Sequence, residues 1–229
     1  MPPDKLGTAK EIVVKELLGV LKARNLNTLA HSQRVANLSL QLGYKLQLSE
    51  RKLDILYTSA LLHDIGKIVI PDQILHKRGP LTAEEWELMK KHPESGAKTI
   101  QSGYESILSL FRPTFHELTQ IKEWQIINQL SDSEIETLQA TLQEVSLIVL
   151  CHHERWDGAG YPGQLKGEAI PLSAQICAIT EVFDALTSDQ PYRQAWPRDK
   201  ALQQIEQEAG QAFAPSIVTT FAQFANHLL

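Results

Sequence analysis

The sequence predicts an all-α fold. Apolar residues recur at three-and-four spacing through almost every periodic stretch, no stretch alternates apolar with polar as a half-buried strand does, and the turn residues crowd into one run. At 43% hydrophobic and 21% charged, the 229 residues have the chemistry of a packed globular chain rather than of disorder, coiled coil or collagen. The longest wholly apolar run, residues 147–151, is far short of the ~20 residues that a bilayer-spanning helix needs. The first residues also lack the basic-then-apolar layout of a secretory signal, so no membrane span and a cytoplasmic location are expected. Two cysteines, Cys151 and Cys177, sit in apolar runs and fit a reducing compartment. A net charge of −5 argues against a nucleic-acid polymer as partner, because sequence-independent binding rests on Lys and Arg neutralising phosphates.

Taken in order, residues 8–24 place Ile12, Val13, Leu17, Leu18, Val20 and Leu21 at helical spacing, with Asn25 as a stop signal. Residues 29–46 and 50–64 repeat the pattern, the second capped by Ser49 and ended by Gly66. A turn follows at Ile70-Pro71-Asp72. Thr82 with Glu85 three residues on forms a capping box, opening a helix expected to run to about His92 before Pro93. From Ser131, with Glu134 as box partner, a long helix carries Ile135, Leu138, Leu142, Val145, Val149 and His152 on one stripe. Four glycines and two prolines in residues 157–171 make a loop with an imposed path, since proline fixes φ where glycine frees it. Helices at 173–187, 198–208 and 215–229 complete what reads as a single domain over 1–229.

Five of the eight histidines lie on or at the ends of these apolar helices, and carboxylates accompany them: His31, His63 with Asp64, His92, and His152 with His153. Neighbouring helical residues point about 100° apart, so His152 and His153 are expected to serve two adjacent ions, or one ion from two directions. Asp64, with two oxygens, is the natural bridge between ions.

The run Leu62-His63-Asp64-Ile65-Gly66-Lys67 is similar to the signature of the HD phosphohydrolase superfamily. The run from His152-His153-Glu154-Arg155-Trp156 to Gly160-Tyr161-Pro162 resembles the second signature of its HD-GYP branch. Residues 70–75, 85–93 and 184–193 also resemble that branch, and the similarity spans about 28–222 with one interruption. The resemblance implies an HD-type helical domain extended by C-terminal helices, with a buried di- or trinuclear metal centre. It also implies a metal-dependent phosphodiesterase acting on cyclic di-GMP or a related cyclic dinucleotide. Carried over by position, His31, His63, Asp64, His92, His152 and His153 match the metal ligands, Glu181 takes the place of the closing carboxylate, and Lys67 matches a lysine that contacts the scissile phosphate. Asp64 and Lys67 are the expected catalytic pair.

Those residue types suit the chemistry. Two ions about 3.5 to 4 Å apart stabilise the attacking and leaving oxygens of a phosphodiester, so no serine or cysteine nucleophile is needed. A mixed imidazole and carboxylate shell suits Fe, Mn, Ni, Co or Zn better than Ca or Mg, and identity within that group stays open, with Fe or Mn the expected ions. Gly160, Tyr161 and Pro162 are expected to shape the substrate pocket, and Arg193 to contact phosphate or guanine through its planar fork. Asp184 is expected to orient a ligand or Lys67 from behind.

Three positions depart from the family pattern, and one segment is added. Position 181 is Glu for Asp, which moves the carboxylate by about 1.5 Å. Asn27 stands where trinuclear members carry Glu, so two ions are expected rather than three. Gln175 replaces the usual Arg. A helical insertion at about 103–139 stretches the interval between His92 and His152 to 59 residues. Its expected roles, a lid, a homodimer surface or a receiver for an upstream sensor protein, stay open, as does a low-activity cyclic-dinucleotide-binding module or an HD hydrolase of another phosphate ester.

Overall fold

Asn25 does more than stop the first helix. In the computed structural model, which describes residues 5–110, 122–127, 129–189 and 194–225, its extended backbone separates α1 (Lys5–Arg24) from α2 (Leu26–Lys45). Its side chain accepts from the backbone N–H groups of Asn27 and Thr28, two donors that the first turn of α2 would otherwise leave unpaired. Helix α3 (Glu50–Leu62) hands over at His63 to a 3-10 turn, Ile65–Val69. The predicted turn at residues 70–72 is the lead-in to a one-turn helix, α4 (Asp72–Leu75).

The helix opened by Thr82 is shorter than its pattern implies. Its capping box forms as expected, but α5 ends at Met89 (Ala83–Met89), and His92 begins α6 (His92–Leu110) instead of closing the preceding helix. Pro93 explains the difference, since a residue without an N–H fits the first turn of a helix, where that donor has no partner. After α6 come α7 (Lys122–Ile127) and α8 (Asp132–Cys151), the latter capped by the Ser131/Glu134 box. Helices α9 (Leu172–Thr187), α10 (Arg198–Gln207) and α11 (Pro215–Ala225) complete the described residues, which include no strand.

Two large apolar clusters form most of the core, and a small third one gathers Val35, Ala36, Ala60, Leu61 and Cys177 from α2, α3 and α9. One large cluster joins α1, α6, α7 and α8 through residues such as Val13, Leu21, Ile100, Leu142 and Val149. The other joins α2, α9, α10 and α11 around Phe183, Ile205 and Phe221, with the Phe183 and Phe221 rings 5.1 Å apart and edge-on. Helix α3 serves both, sending Ile55 and Leu62 to the first and Leu56 to the second. The end of α3 therefore lies where the two halves meet. Gly66 fixes one contact there: a Cβ at this position would stand 1.9 Å from His92 O and 2.4 Å from Gly96 N, so only glycine lets the 3-10 turn seat on the start of α6.

The span read as an insertion, 103–139, is partly an extension of α6 and α8. Tyr104 is buried and donates to Ile135 O at 3.2 Å, while Ile127 and Leu130 join the α1 cluster. Residues 111–121 and 128 of that span lie outside the described residues. No helix among the described residues is long and apolar enough to cross a membrane.

Candidate metal centre

Five helix ends or faces converge on the junction of the two cores. His31 projects from the second turn of α2, His63 and Asp64 follow α3, His92 opens α6, His152 and His153 follow α8, and Glu181 and Asp184 lie on α9. His63, Asp64, His92 and His152 are buried. Their ligand atoms fall into two groups, His31/His63/Asp64 and His92/His152/His153, with the atoms of each group within 4.8 Å of one another. His152 and His153 join one group although they are sequence neighbours. The chain leaves the α-helix at His152, so the 100° offset no longer governs His153, and the two rings lie 4.1 Å apart at 41°.

The histidine tautomers follow from local backbone. His63, His92 and His152 each place Nδ1 beside the carbonyl three residues earlier, at 2.7 Å from Ala60 O, 2.8 Å from Met89 O and 2.6 Å from Val149 O. A carbonyl only accepts, so these hydrogen bonds assign the proton to Nδ1 and leave Nε2 with a bare lone pair. Burial, then the charge of Lys67, pushes His92 down to about 3, and burial, then His153, does the same to His152. Both rings are therefore neutral near pH 7. Yet their Nε2 atoms face each other at 3.2 Å, two lone pairs with no proton to share. His63 Nε2 and Asp64 Oδ1 are likewise buried without a hydrogen-bond partner. Bare lone pairs converging in a buried space fit a bound cation, and this donor set fits a transition metal.

Asp64 stands between the groups, with Oδ2 3.5 Å from His63 Nε2 and Oδ1 3.6 Å from His92 Nε2. Burial alone would raise its carboxyl, but Lys67 and the surrounding histidines hold it well below the usual range. Lys67 Nζ donates to Asp64 Oδ2 at 2.7 Å, a contact set by the 3-10 turn three residues on. His31 is held differently. Its Nδ1 lies 2.7 Å from Asp184 Oδ2, and Arg34 grips the same carboxylate with Nε and Nη2 at 2.7 and 2.9 Å. Asp184 is thus placed to orient a candidate ligand, with Arg34 as a partner that the sequence does not single out. Its signal was its place one turn after His31 on α2.

Glu181 lies outside both groups. Its Oε1 is 3.9 Å from His153 Nε2, and its charge also acts on His31, so it lies near both groups without joining either. Asn27 is exposed in the first turn of α2. Gln175 caps the end of the glycine-rich loop, donating to Ile170 O at 2.8 Å. Burial pushes the Cys151 thiol up to about 11, which keeps it protonated beside His152.

The loop after His153 is folded around the Glu154 carboxylate and the close approach of Gly160. Buried Glu154 accepts from Gly163 N at 2.6 Å and from Leu165 N at 2.9 Å, pinning both arms of the turn. Gly160 passes so close that a Cβ would stand 2.3 Å from Arg155 N. Tyr161 then stacks on His153, with centroids 4.9 Å apart at 28°, and meets Trp86 of α5 edge-on at 6.3 Å. Burial and the charges of Glu181 and Asp64 raise the Tyr161 phenol, which stays a donor. Pro162 lies beside it in the turn, half-buried. Arg193 lies outside the described residues.

The HD domain family model matches residues 18–106 and 114–217. A cyclic di-GMP phosphodiesterase response regulator, RpfG, of Xanthomonas campestris is 37% identical over 205 residues, covering 90% of this chain and 45% of the relative. A 3'3'-cGAMP-specific phosphodiesterase 2 of Vibrio cholerae is 34% identical over 94% of this chain and 34% of its own length. The chain thus spans about a third to a half of these curated relatives. Among solved structures, an HD-GYP-type protein from Bdellovibrio bacteriovorus matches with TM-score 0.58 at 19% identity, covering 96% of this chain and 63% of that one. The HD domain of Listeria monocytogenes PgpH, in complex with cyclic di-AMP, matches with TM-score 0.53 at 16% identity over 93% and 96% of the two chains. With the signature residues gathered at one buried centre and most of its length matched by the family model, this chain belongs to the HD domain family.

Proposed function

We propose that this chain is a metal-dependent phosphodiesterase that hydrolyses cyclic di-GMP, or a related cyclic dinucleotide, to the linear dinucleotide or GMP. The observation that carries the reading is the pair of bare Nε2 atoms of His92 and His152 at 3.2 Å, beside the unpartnered Asp64 Oδ1. The names of the relatives supply the substrate class.

In this reading His31, His63 and Asp64 on one side and His92, His152 and His153 on the other would hold two divalent ions, Fe or Mn before Ni, Co or Zn. Asp64 would serve both groups, and Glu181 would add a carboxylate beside His153. Bound there, the ions supply electrophilic activation of the phosphate and a nucleophile near neutral pH. The chain's own residues do the rest. Lys67 brings a positive charge to the phosphate at the edge of an otherwise acidic protein. Asp184 holds His31 in one orientation. Gly160, Tyr161 and Pro162 wall the pocket, the Tyr161 phenol donating, and Arg193 contacts phosphate or guanine.

A second reading, a binding module with little turnover, is favoured by Glu181 standing outside both ligand groups. Incubating the protein anaerobically with Fe(II) or Mn(II) and cyclic di-GMP, then chromatographing the products, separates the two. Linear product is expected, and Asp64→Ala is expected to abolish it. Full turnover by Asp64→Ala sinks the two-metal reading, and binding without turnover across several metals selects the module.

A further inference from the structure

Helix α5 buries none of its residues, yet it carries a tryptophan. Trp86 is 46% exposed, where tryptophan is on average a highly buried residue, so core packing does not account for it. The helix is anchored without it: the Thr82/Glu85 box closes its start, and Lys77 pairs with Glu85. What Trp86 does touch is Tyr161, edge-on at 80°, and Tyr161 in turn stacks on His153. The exposed indole is therefore two ring contacts from the His92/His152/His153 group. Two aromatic planes at nearly a right angle make a corner, where a flat ring lies against one wall and meets the other edge to face, the arrangements that aromatic rings prefer.

We infer that Trp86 and Tyr161 form a stacking subsite for a purine base of the substrate, which rests on the cyclic dinucleotide reading above. The base lies flat on the indole while the phosphate to which it is joined through ribose occupies the metal centre. Base stacking on an aromatic side chain tolerates any purine, because every base has a π-face. The subsite thus supplies affinity for guanine and adenine alike, and leaves discrimination between them to other groups.

The test is steady-state kinetics of the metal-loaded chain on cyclic di-GMP, comparing Trp86→Ala, Trp86→Leu and Trp86→Phe, each checked for metal content equal to that of the unmodified protein. Removing a stacking partner is expected to raise KM by about 10- to 100-fold, with a smaller change in kcat. Leucine keeps apolar bulk without a π-face and should stay close to alanine, whereas phenylalanine should recover most of the loss. An alanine KM within twofold of the unmodified value overturns the subsite, and so does a leucine variant as good as phenylalanine. If the unmodified protein neither binds nor turns over any cyclic dinucleotide, the functional reading fails and takes the subsite with it. Failure of the subsite alone leaves turnover intact.

Discussion

His31 Nδ1 and Asp184 Oδ2 stand 2.7 Å apart, joining a histidine of α2 to a carboxylate of α9, and Arg34 closes on the other side of that carboxylate. Of the four histidines whose ring orientation is set by a hydrogen bond at Nδ1, His31 is the one held by a side chain rather than by a backbone carbonyl. A backbone partner survives any substitution, but this one does not. Asp184→Ala is expected to weaken the ion of the His31/His63/Asp64 group by about 10- to 100-fold, the usual cost of losing such a support, and to leave the His92 group nearly unchanged. Chelator competition resolves the two ions. Equal loss at both, or at neither, contradicts the assignment.

The same contact gives the two groups different pH behaviour. Burial would lower His31, but the Asp184 hydrogen bond and the charges of Asp64 and Glu181 outweigh it and raise the ring above its ordinary value. His92 and His152 are pushed the other way, down to about 3. Metal must displace a proton from His31 below its raised value, whereas His92 and His152 carry none to displace until the pH is far lower. Between pH 8 and pH 6, affinity at the His31 group should fall while that at the His92 group holds. Calorimetric titrations at the two values check this, and parallel loss at both groups refutes it.

Much of the candidate site was legible because the residues that converge on it travel with local signals. His63-Asp64 and His152-His153 each terminate an apolar stripe, and the stripes themselves predict burial. Arg34 and Trp86 were not legible, since an arginine on a polar face and a tryptophan on a short helix look alike in sequence whether or not they meet a partner from elsewhere in the fold. The helix position of His92 was misread for a related reason: Pro93 marks a boundary, but a break before it and a start at it leave the same pattern. Which histidines Glu181 approaches was not legible either, because the turn of α9 sets it: its Oε1 lies 3.9 Å from His153 Nε2, and its charge also acts on His31.

The path of the glycine-rich loop makes a third prediction. In Gly160→Ala the new Cβ would lie 2.3 Å from Arg155 N and 2.6 Å from Glu154 Cα, both backbone, so the turn itself must move. Glu154 pins the arms on either side, and the displacement passes to Tyr161 and its stack on His153. Misplacement of a binding group by about 1 Å costs up to about 100-fold in rate, so kcat/KM should fall by about that order. No residue of the two ligand groups lies in the displaced turn, and metal content should stay within error. An unchanged kcat/KM, or loss of both ions, contradicts this account.

The last prediction concerns how many ions the centre holds. The candidate ligand atoms among the described residues form two groups of three, with Asp64 near both, and two ions per chain are expected. A third would need a further anionic oxygen beside His31. The residue one turn earlier on α2 is Asn27, whose neutral amide is a weak ligand for these metals and whose side chain is exposed. Residues at i and i+4 share a helix face, so Asn27→Glu puts a carboxylate on the side of α2 that carries His31. Elemental analysis against an accurate protein concentration should give a ratio near two for the unmodified chain and a higher one for Asn27→Glu. Glu181→Ala should lower the occupancy of the ion next to His153, since it removes the carboxylate 3.9 Å from its Nε2. A ratio near three in the unmodified chain breaks the assignment, because the residues present would then be supplying a donor set that the two groups do not contain.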